Sequence, residues 1–330
     1  MTVINNIEID NIRYSKNYIR SAIENNDPIE EKLHVIAVVS NPCLFAKRYI
    51  LMKEFMNRFV LEERNVILYI VELAYGDQKF IITQKNNPTH LQIRTKHPLW
   101  HKENMINMGV KHLLPKNYKA FAWVDADVEF ENPSWALDTL KILNGSHDII
   151  QLFSHAVDMN NEEMAMSVFN SAGYQNEKNK KYCNTGINYW HPGYAWAITR
   201  KAYEKIGGIY ENSILGSGDH MMLLSLLNNG INSVNGKCTD EYKEDICKYQ
   251  EKMRTLRFGY VPGVIRHYYH GSKKNRKYQE RWQILVKHKF SPIRHITKDE
   301  MGILIPTSEF SEEFKKDIFQ YFQERNEDEG

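Results

Sequence analysis

The chain has 330 residues, 42% of them hydrophobic, enough for one large α/β domain or two smaller ones. Lys and Arg number 43 and Asp and Glu 41, a net charge of +2, so no basic face argues for nucleic acid as a partner. No apolar run approaches the roughly 20 residues that cross a bilayer. The first residues, with Glu8 and Asp10, lack the apolar stretch of a secretory signal. Cys43, Cys183, Cys238 and Cys247 have no C-x-x-C spacing and read as reduced thiols. Together these features lead us to expect a cytoplasmic protein with no membrane span.

Residues 1–31 are polar and read as an N-terminal arm or short lead-in helix. Residues 33–39 are rich in β-branched side chains and predict a first buried strand, ended by the turn signal Ser40-Asn41-Pro42. Residues 44–60 have helical apolar spacing, and 66–71 predict a second buried strand. That β-α-β order favours a parallel sheet with helices on its faces. One or two short strands are expected in 79–95 and a helix over 100–114.

The chain then reaches its most informative stretch, Phe121-Ala-Trp-Val-Asp125-Ala-Asp127-Val-Glu-Phe130. Four apolar residues read as a buried strand, and two carboxylates arrive where it ends. Ligands of open α/β sheets collect outside the carboxyl ends of the strands. An Asp-x-Asp there can hold Mg²⁺ or Mn²⁺ with positions left for substrate phosphates. The motif is common by chance and also fits a solvated acidic turn, but here it sits in a strand–turn–helix unit, with Asn132-Pro133-Ser134 opening helix 134–143.

Residues 148–153 predict a further strand, and the polar stretch 158–182 a surface connection or lid. A Gly- and aromatic-rich segment follows, with Trp190, Tyr194 and Trp196 as candidates to stack on a sugar face, although ordinary core is the simpler role for each. Residues 195–198 predict a strand, and Thr199 caps helix 200–206, which stops at Gly207-Gly208. Gly216-Ser-Gly-Asp219 opens helix 219–228. Residues 258–265 read as one strand, kinked at Pro262-Gly263. A His- and Lys-rich loop, 267–274, leads to amphipathic helices at 277–288 and 311–325 and a frayed acidic end.

Transfer of a sugar from a nucleoside diphosphate needs cations against the leaving diphosphate and a carboxylate to take the acceptor's proton. Asp125 and Asp127 answer the first need. His267 is a candidate nitrogen ligand, and Lys273 and Lys274 candidates to face phosphates. Asp219 is the candidate base, although Asp is also a favoured helix cap.

These patches, in this order, resemble the nucleotide-sugar glycosyltransferases of the GT-A fold, and among them the metazoan β-1,4-galactosyltransferases. The similar segments are the acidic strand end, Lys201-Ala-Tyr-Glu-Lys-Ile-Gly-Gly208, Gly216-Ser-Gly-Asp219, Ile265-Arg-His267 with Lys273-Lys274-Asn275, and 100–109, which sets Lys102 at a basic position before Asn107-Met-Gly109. The resemblance implies a Rossmann-like mixed, mostly parallel sheet with helices on both faces and a helical C-terminal extension. Its expected boundaries are an arm at 1–31, a catalytic domain at 32–275 (nucleotide half 32–130, acceptor half 131–275) and an extension at 276–330. It further implies Mn²⁺ or Mg²⁺ held by Asp127 and His267 with Asp125 close by, a UDP-sugar donor, Asp219 as base, and inversion. Ser40, Asn41, Lys102, Asp125, Asp127 and Lys273 are the expected donor-binding residues, and Asp125, Asp127, His267 and His270 the expected metal set. Trp190, Tyr194, Trp196 and His220 are expected at the sugar and acceptor.

The chain departs from the family pattern in its acidic turn, which lacks the Trp and consecutive acids, and at Val264, where the family has a metal-binding Met. His270 or water stands in for that ligand. The departures leave open the sugar, the acceptor and the choice between inversion and retention. A non-catalytic carbohydrate-binding protein is a further alternative. A pyrophosphorylase is disfavoured, because Ser40-Asn41-Pro42-Cys43 has no glycine-rich loop.

Overall fold

The computed structural model describes residues 25–63 and 65–329, together with two short strands, β1 (Val3–Ile4) and β2 (Ile7–Glu8). The expected N-terminal arm therefore lies mostly outside the described residues. The remaining strands are β3 (Leu33–Ser40), β4 (Val66–Tyr75), β5 (His90–Thr95), β6 (Ala120–Val124), β7 (Val128–Phe130), β8 (Ile149–Gln151), β9 (His155–Met159), β10 (Ala165–Ser171), β11 (Trp190–His191), β12 (Ala195–Thr199), β13 (Phe258–Tyr260), β14 (Val264–His267), β15 (Ile296–Lys298) and β16 (Leu304–Pro306).

The fold is mixed α/β. A central sheet has the order β13-β8-β12-β6-β3-β4-β5. Strands β6, β3, β4 and β5 pair in parallel, as do β13 and β8, while β12 runs antiparallel between β6 and β8. Both faces of this sheet are buried, which is why its strands read as continuous apolar runs. The two-residue period of the strands sorts their side chains between two cores. Ile36, Phe121, Trp123 and Trp196 face one core, and Val35, Ala37, Ala122 and Val124 face the other. The helix Lys102–His112 packs on the first face through Met105, Ile106 and Met108. The helices Ala46–Glu62 and Trp135–Ile142 supply Met52, Phe55, Trp135 and Leu140 to the second.

Trp196 is 1% exposed and lies between the stacked rings of Trp123 and Phe258, with centroids at 6.4 and 5.4 Å. Its indole N–H donates to the Pro192 carbonyl at 2.8 Å. Trp196→Ala is expected to destabilise the fold by about 3–5 kcal/mol, read from denaturant unfolding.

The C-terminal segment expected to be helical also contains the antiparallel pair β15–β16. Its Phe290, Phe314 and Tyr321 join the same core as Trp196. His101 ties this segment to the sheet domain: it is fully buried, and its Nε2 lies 2.9 Å from the Leu304 carbonyl. Burial drives its pKa down to about 4 from an ordinary 6.5. The folded state thus holds His101 neutral while the unfolded chain takes up a proton below pH 6.5. Its contribution is present above that pH and fades as the pH falls through 4. We expect a loss of about 3 kcal/mol across that window, and His101→Gln to flatten the corresponding arm of a stability–pH curve.

Two expectations need correction, and one element was not foreseen. Residues 158–182 are not a featureless connection: β9 and β10 form an antiparallel pair, and the helix Ala172–Glu177 follows, capped by Ser171. Residues 258–265 are two strands, because Gly263 at φ 156° breaks the run and passes the chain from the central sheet to a second one. The helix Asp240–Met253 was not foreseen, although Thr239 caps it and Tyr242, Ile246, Tyr249 and Met253 recur at helical spacing along its buried face.

No helix among the described residues is long and apolar enough to cross a membrane.

Candidate metal centre and adjoining pocket

The second sheet, in the order β11-β10-β9-β14-β7, builds the site. The chain leaves the central sheet at Val124, turns through Asp125 and Asp127, and enters the second sheet at β7. Asp125 N–H donates to the Tyr194 carbonyl at 2.9 Å, and Val128 N–H to the Asp125 carbonyl at 3.2 Å, so the acidic turn bridges the two sheets. Register does the rest. In β14, His267 lies opposite Val128 of β7 on one side and Asp158 of β9 on the other. Three residues distant in sequence are thereby neighbours.

The ligand atoms of Asp127, His267 and His270 lie within 4.8 Å of one another. Asp127 Oδ2 is 2.9 Å from His270 Nε2 and 3.6 Å from His267 Nε2. Asp127 Oδ1 is buried and has no hydrogen-bond partner among the described residues. A buried, unpartnered carboxylate oxygen beside two imidazoles fits a divalent cation. The two nitrogens favour Mn²⁺ over the all-oxygen preference of Mg²⁺. Burial opposes the Asp127 charge, but His267 and His270 outweigh it and hold the carboxyl well below its usual range. Burial likewise disfavours a charged His267, and the carboxylates of Asp127 and Asp158 outweigh it, raising its pKa.

Each imidazole has a carboxylate on its Nδ1 side, hydrogen-bonded at His267 and more distant at His270, whose Nε2 also lies 2.7 Å from the Arg276 guanidinium. Asp158, 1% exposed, sits 3.0 Å from His267 Nδ1, accepts from the Tyr194 hydroxyl at 2.7 Å and pairs with Lys273. A proton on His267 Nδ1, donated to Asp158, leaves the Nε2 lone pair toward Asp127. Burial raises the Asp158 pKa, but hydrogen bonds from His267, Lys273 and Tyr194 prevail and keep it ionised. Glu327, 2% exposed, lies 3.9 Å from His270 Nδ1. It is held by Arg48 and by Arg325 Nε at 2.7 Å. Next to it, Asp328 accepts from the Ala46 and Lys47 amides at 2.9 and 2.8 Å and caps a helix whose own N-cap, Phe45, has no side chain to do so. The acidic end expected to fray is therefore docked. Glu327→Gln should weaken Mn²⁺ binding roughly 10–100-fold in a calorimetric titration, and unchanged affinity would leave Glu327 an anchor for the tail alone.

The other expected site residues fall in distinct places. Asp125 is outside the three-residue cluster and pairs with Lys102. Burial raises its pKa, with the Asp127 charge adding to it and Lys102 opposing. Asn41 is buried and exchanges hydrogen bonds with the Phe45 backbone at 2.8 and 2.9 Å, so it closes a loop rather than facing a ligand. Ser40 offers its carbonyl to Arg48 at 2.7 Å. Lys273 stands over the Phe169 ring at 4.6 Å while pairing with Asp158. Trp190 is buried against Ala172 and Leu223, and its ring has no open face for a sugar in this arrangement. Its indole nitrogen has no hydrogen-bond partner among the described residues. Tyr194 is sandwiched between His191 at 4.0 Å and His267 at 4.5 Å and also lines the adjoining pocket. It sits at φ 81°, a strained conformation for an aromatic residue. The His220 ring meets the Tyr182 hydroxyl at 3.2 Å.

Beside the metal cluster is a narrow pocket with a cavity volume of about 10 Å³, whose lining includes Lys102, Glu103, Trp123, Trp196 and Asp219. Asp219 lies so near residue 193 that a Cβ there would stand 2.8 Å from its Oδ2. Gly193 is what lets the carboxylate occupy that position. Asp158, Glu327 and Glu103 were missed by reading the sequence. Glu103 had one local signal, an acid three residues before the buried Ile106 on the inward face of its helix.

No protein-family model matches the chain, and no curated protein matches it in sequence. Solved structures similar to it include the catalytic domain of Drosophila β-1,4-galactosyltransferase 7 in complex with xylobiose, at 11% identity and a TM-score of 0.38 over 85% of this chain and 96% of that one. A mutant of that enzyme with manganese, UDP-Gal and xylobiose matches at 11% identity and a TM-score of 0.37, over 84% and 93%. Mannosyltransferase PcManGT from Pyrobaculum calidifontis, in complex with GDP-Man and Mn²⁺, matches at 11% and 0.43, over 94% and 77%.

Proposed function

We propose that this protein is a metal-dependent glycosyltransferase that moves a hexosyl group from a UDP-sugar to an acceptor hydroxyl with inversion. The observation that carries this reading is the cluster of Asp127, His267 and His270 at the end of β6, with a buried carboxylate oxygen left over. Asp127, His267 Nε2 and His270 Nε2 would hold Mn²⁺, which when bound neutralises charge on a diphosphate leaving group.

The chain's own residues do the rest. Lys102, beside Asp125 at the mouth of the pocket, and Lys273 bring cationic charge toward the diphosphate. Burial disfavours the Lys102 cation, but Asp125 and Asp219 outweigh it and keep it charged. Asp219 faces the pocket and accepts the proton of the acceptor hydroxyl as that oxygen bonds to the anomeric carbon. The bond from that carbon to the diphosphate oxygen breaks, and its electron pair leaves with the nucleotide. Attack opposite the leaving group inverts the anomeric configuration. The Trp123 and Trp196 side of the pocket limits water around the reacting atoms. We place the nucleotide against residues 32–130 and the acceptor against 131–275, with 276–330 as the segment that closes the metal site.

The test is nucleotide release from a panel of UDP-hexoses and GDP-mannose with and without Mn²⁺. Manganese-dependent release from a UDP-sugar supports the reading. Tight UDP·Mn²⁺ binding with no release from any donor, whatever acceptor is added, would favour a non-catalytic carbohydrate-binding protein.

A further inference from the structure

Glu103 occupies the first turn of the helix Lys102–His112, is 5% exposed and lines the pocket beside Asp219. Its Oε2 is fully buried and has no hydrogen-bond partner among the described residues. The other two acids near it are engaged: Asp125 pairs with Lys102, and Asp219 Oδ1 accepts from the His220 amide at 2.9 Å. A buried polar atom left unpaired costs roughly 1–3 kcal/mol, so such an atom in a pocket points to a partner that arrives with a ligand.

The neighbouring chain is shaped around this carboxyl. Residue 218, at the start of the helix Gly218–Leu226, is a glycine, and any Cβ there would collide with the Glu103 side chain. Burial pushes the Glu103 pKa up to about 8, with Lys102 opposing and the charges of Asp219 and Asp125 adding to the rise. At neutral pH the group is largely a carboxylic acid, able to donate one hydrogen bond and accept others. The pocket wall on its other sides is apolar, formed by Ile106, Trp123, Trp196 and Met222. An apolar wall with a few polar groups at fixed places is the chemistry that recognises a sugar ring.

We propose that Glu103 is a specificity-determining residue that selects the transferred sugar by hydrogen-bonding one of its ring hydroxyls. This rests on the glycosyltransferase reading above and extends it to a residue that neither the acidic turn nor the histidines include.

The experiment compares wild type, Glu103→Gln and Glu103→Leu on the UDP-hexose that wild type turns over fastest and on the monodeoxy analogues of its sugar. UDP binding with Mn²⁺ is measured separately by calorimetry, and folding by thermal unfolding. We expect Glu103→Leu to lower kcat/KM for the parent donor roughly 100-fold, and to erase the preference over one monodeoxy analogue. Glu103→Gln, which keeps a donor and an acceptor, should retain that preference. UDP·Mn²⁺ affinity should stay within about twofold in both variants, because Glu103 is outside the metal cluster. A folded Glu103→Leu with wild-type kcat/KM and undiminished discrimination overturns this proposal and leaves the glycosyltransferase reading standing. Wild type that releases nucleotide from no donor overturns both. If Glu103→Leu fails to fold, Glu103→Gln decides the matter, since loss of discrimination in that isosteric variant would contradict the hydrogen-bond role.

Discussion

Asp127→Asn is expected to lower Mn²⁺ affinity at least about 100-fold and to reduce sugar transfer to the limit of detection at micromolar metal. The substitution keeps the shape of the side chain and removes its charge. Asp127 is the only carboxylate in the cluster of three, and its Oδ2 is the atom both imidazoles face. An amide there offers a weaker neutral oxygen to a hard cation. Calorimetric titration of MnCl₂ into the folded variant reads the effect without relying on activity. His270→Ala should act in the same direction, since its Nε2 is the nearer of the two nitrogens. Wild-type affinity in both variants would place the ion elsewhere.

The second large effect is at Asp219. Asp219→Asn removes the proton acceptor and part of the negative charge facing Lys102, while its amide oxygen can still accept from the His220 amide. General-base catalysis typically supplies a factor of about 10²–10⁴, and kcat should fall by that much. UDP·Mn²⁺ affinity should remain within about twofold. Near-normal turnover would remove Asp219 from the proton-transfer step and turn the mechanism toward retention, which needs no base at that position. Loss of nucleotide binding together with kcat would instead mean that Asp219 acts by holding Lys102, whose charge it helps maintain.

Much of this was legible in the chain, and the gaps have physical causes. Strands β3, β4 and β6 are buried on both faces, so their apolar runs announced them. Asp127, His267 and His270 were singled out from the motif and the family resemblance, and the structure brings all three together. Asp125 was expected among the metal ligands; it lies outside the cluster of three and pairs with Lys102. Asp158 was invisible because its role comes from the register between β9 and β14, which no local pattern around residue 158 encodes. Glu327 lay in a stretch whose polarity suggested fraying, and only the arginines at 48 and 325 explain why it is buried. The aromatics were ambiguous in the sequence. Trp190 and Trp196 have the composition of a sugar platform, but an aromatic ring gives the same signal whether it faces a ligand or a core. Trp190 packs against Leu223, whereas Trp196, stacked between Trp123 and Phe258, also contributes to the pocket wall.

The account depends on one cation held where the two sheets meet. Crystals grown with MnCl₂ and UDP, measured for manganese anomalous scattering, test this directly. The predicted result is a single strong peak about 2.2 Å from a carboxylate oxygen of Asp127 and from Nε2 of both His267 and His270, with the diphosphate completing its shell. A peak remote from these three residues, with Asp127 still bound only to the two imidazoles, would contradict it.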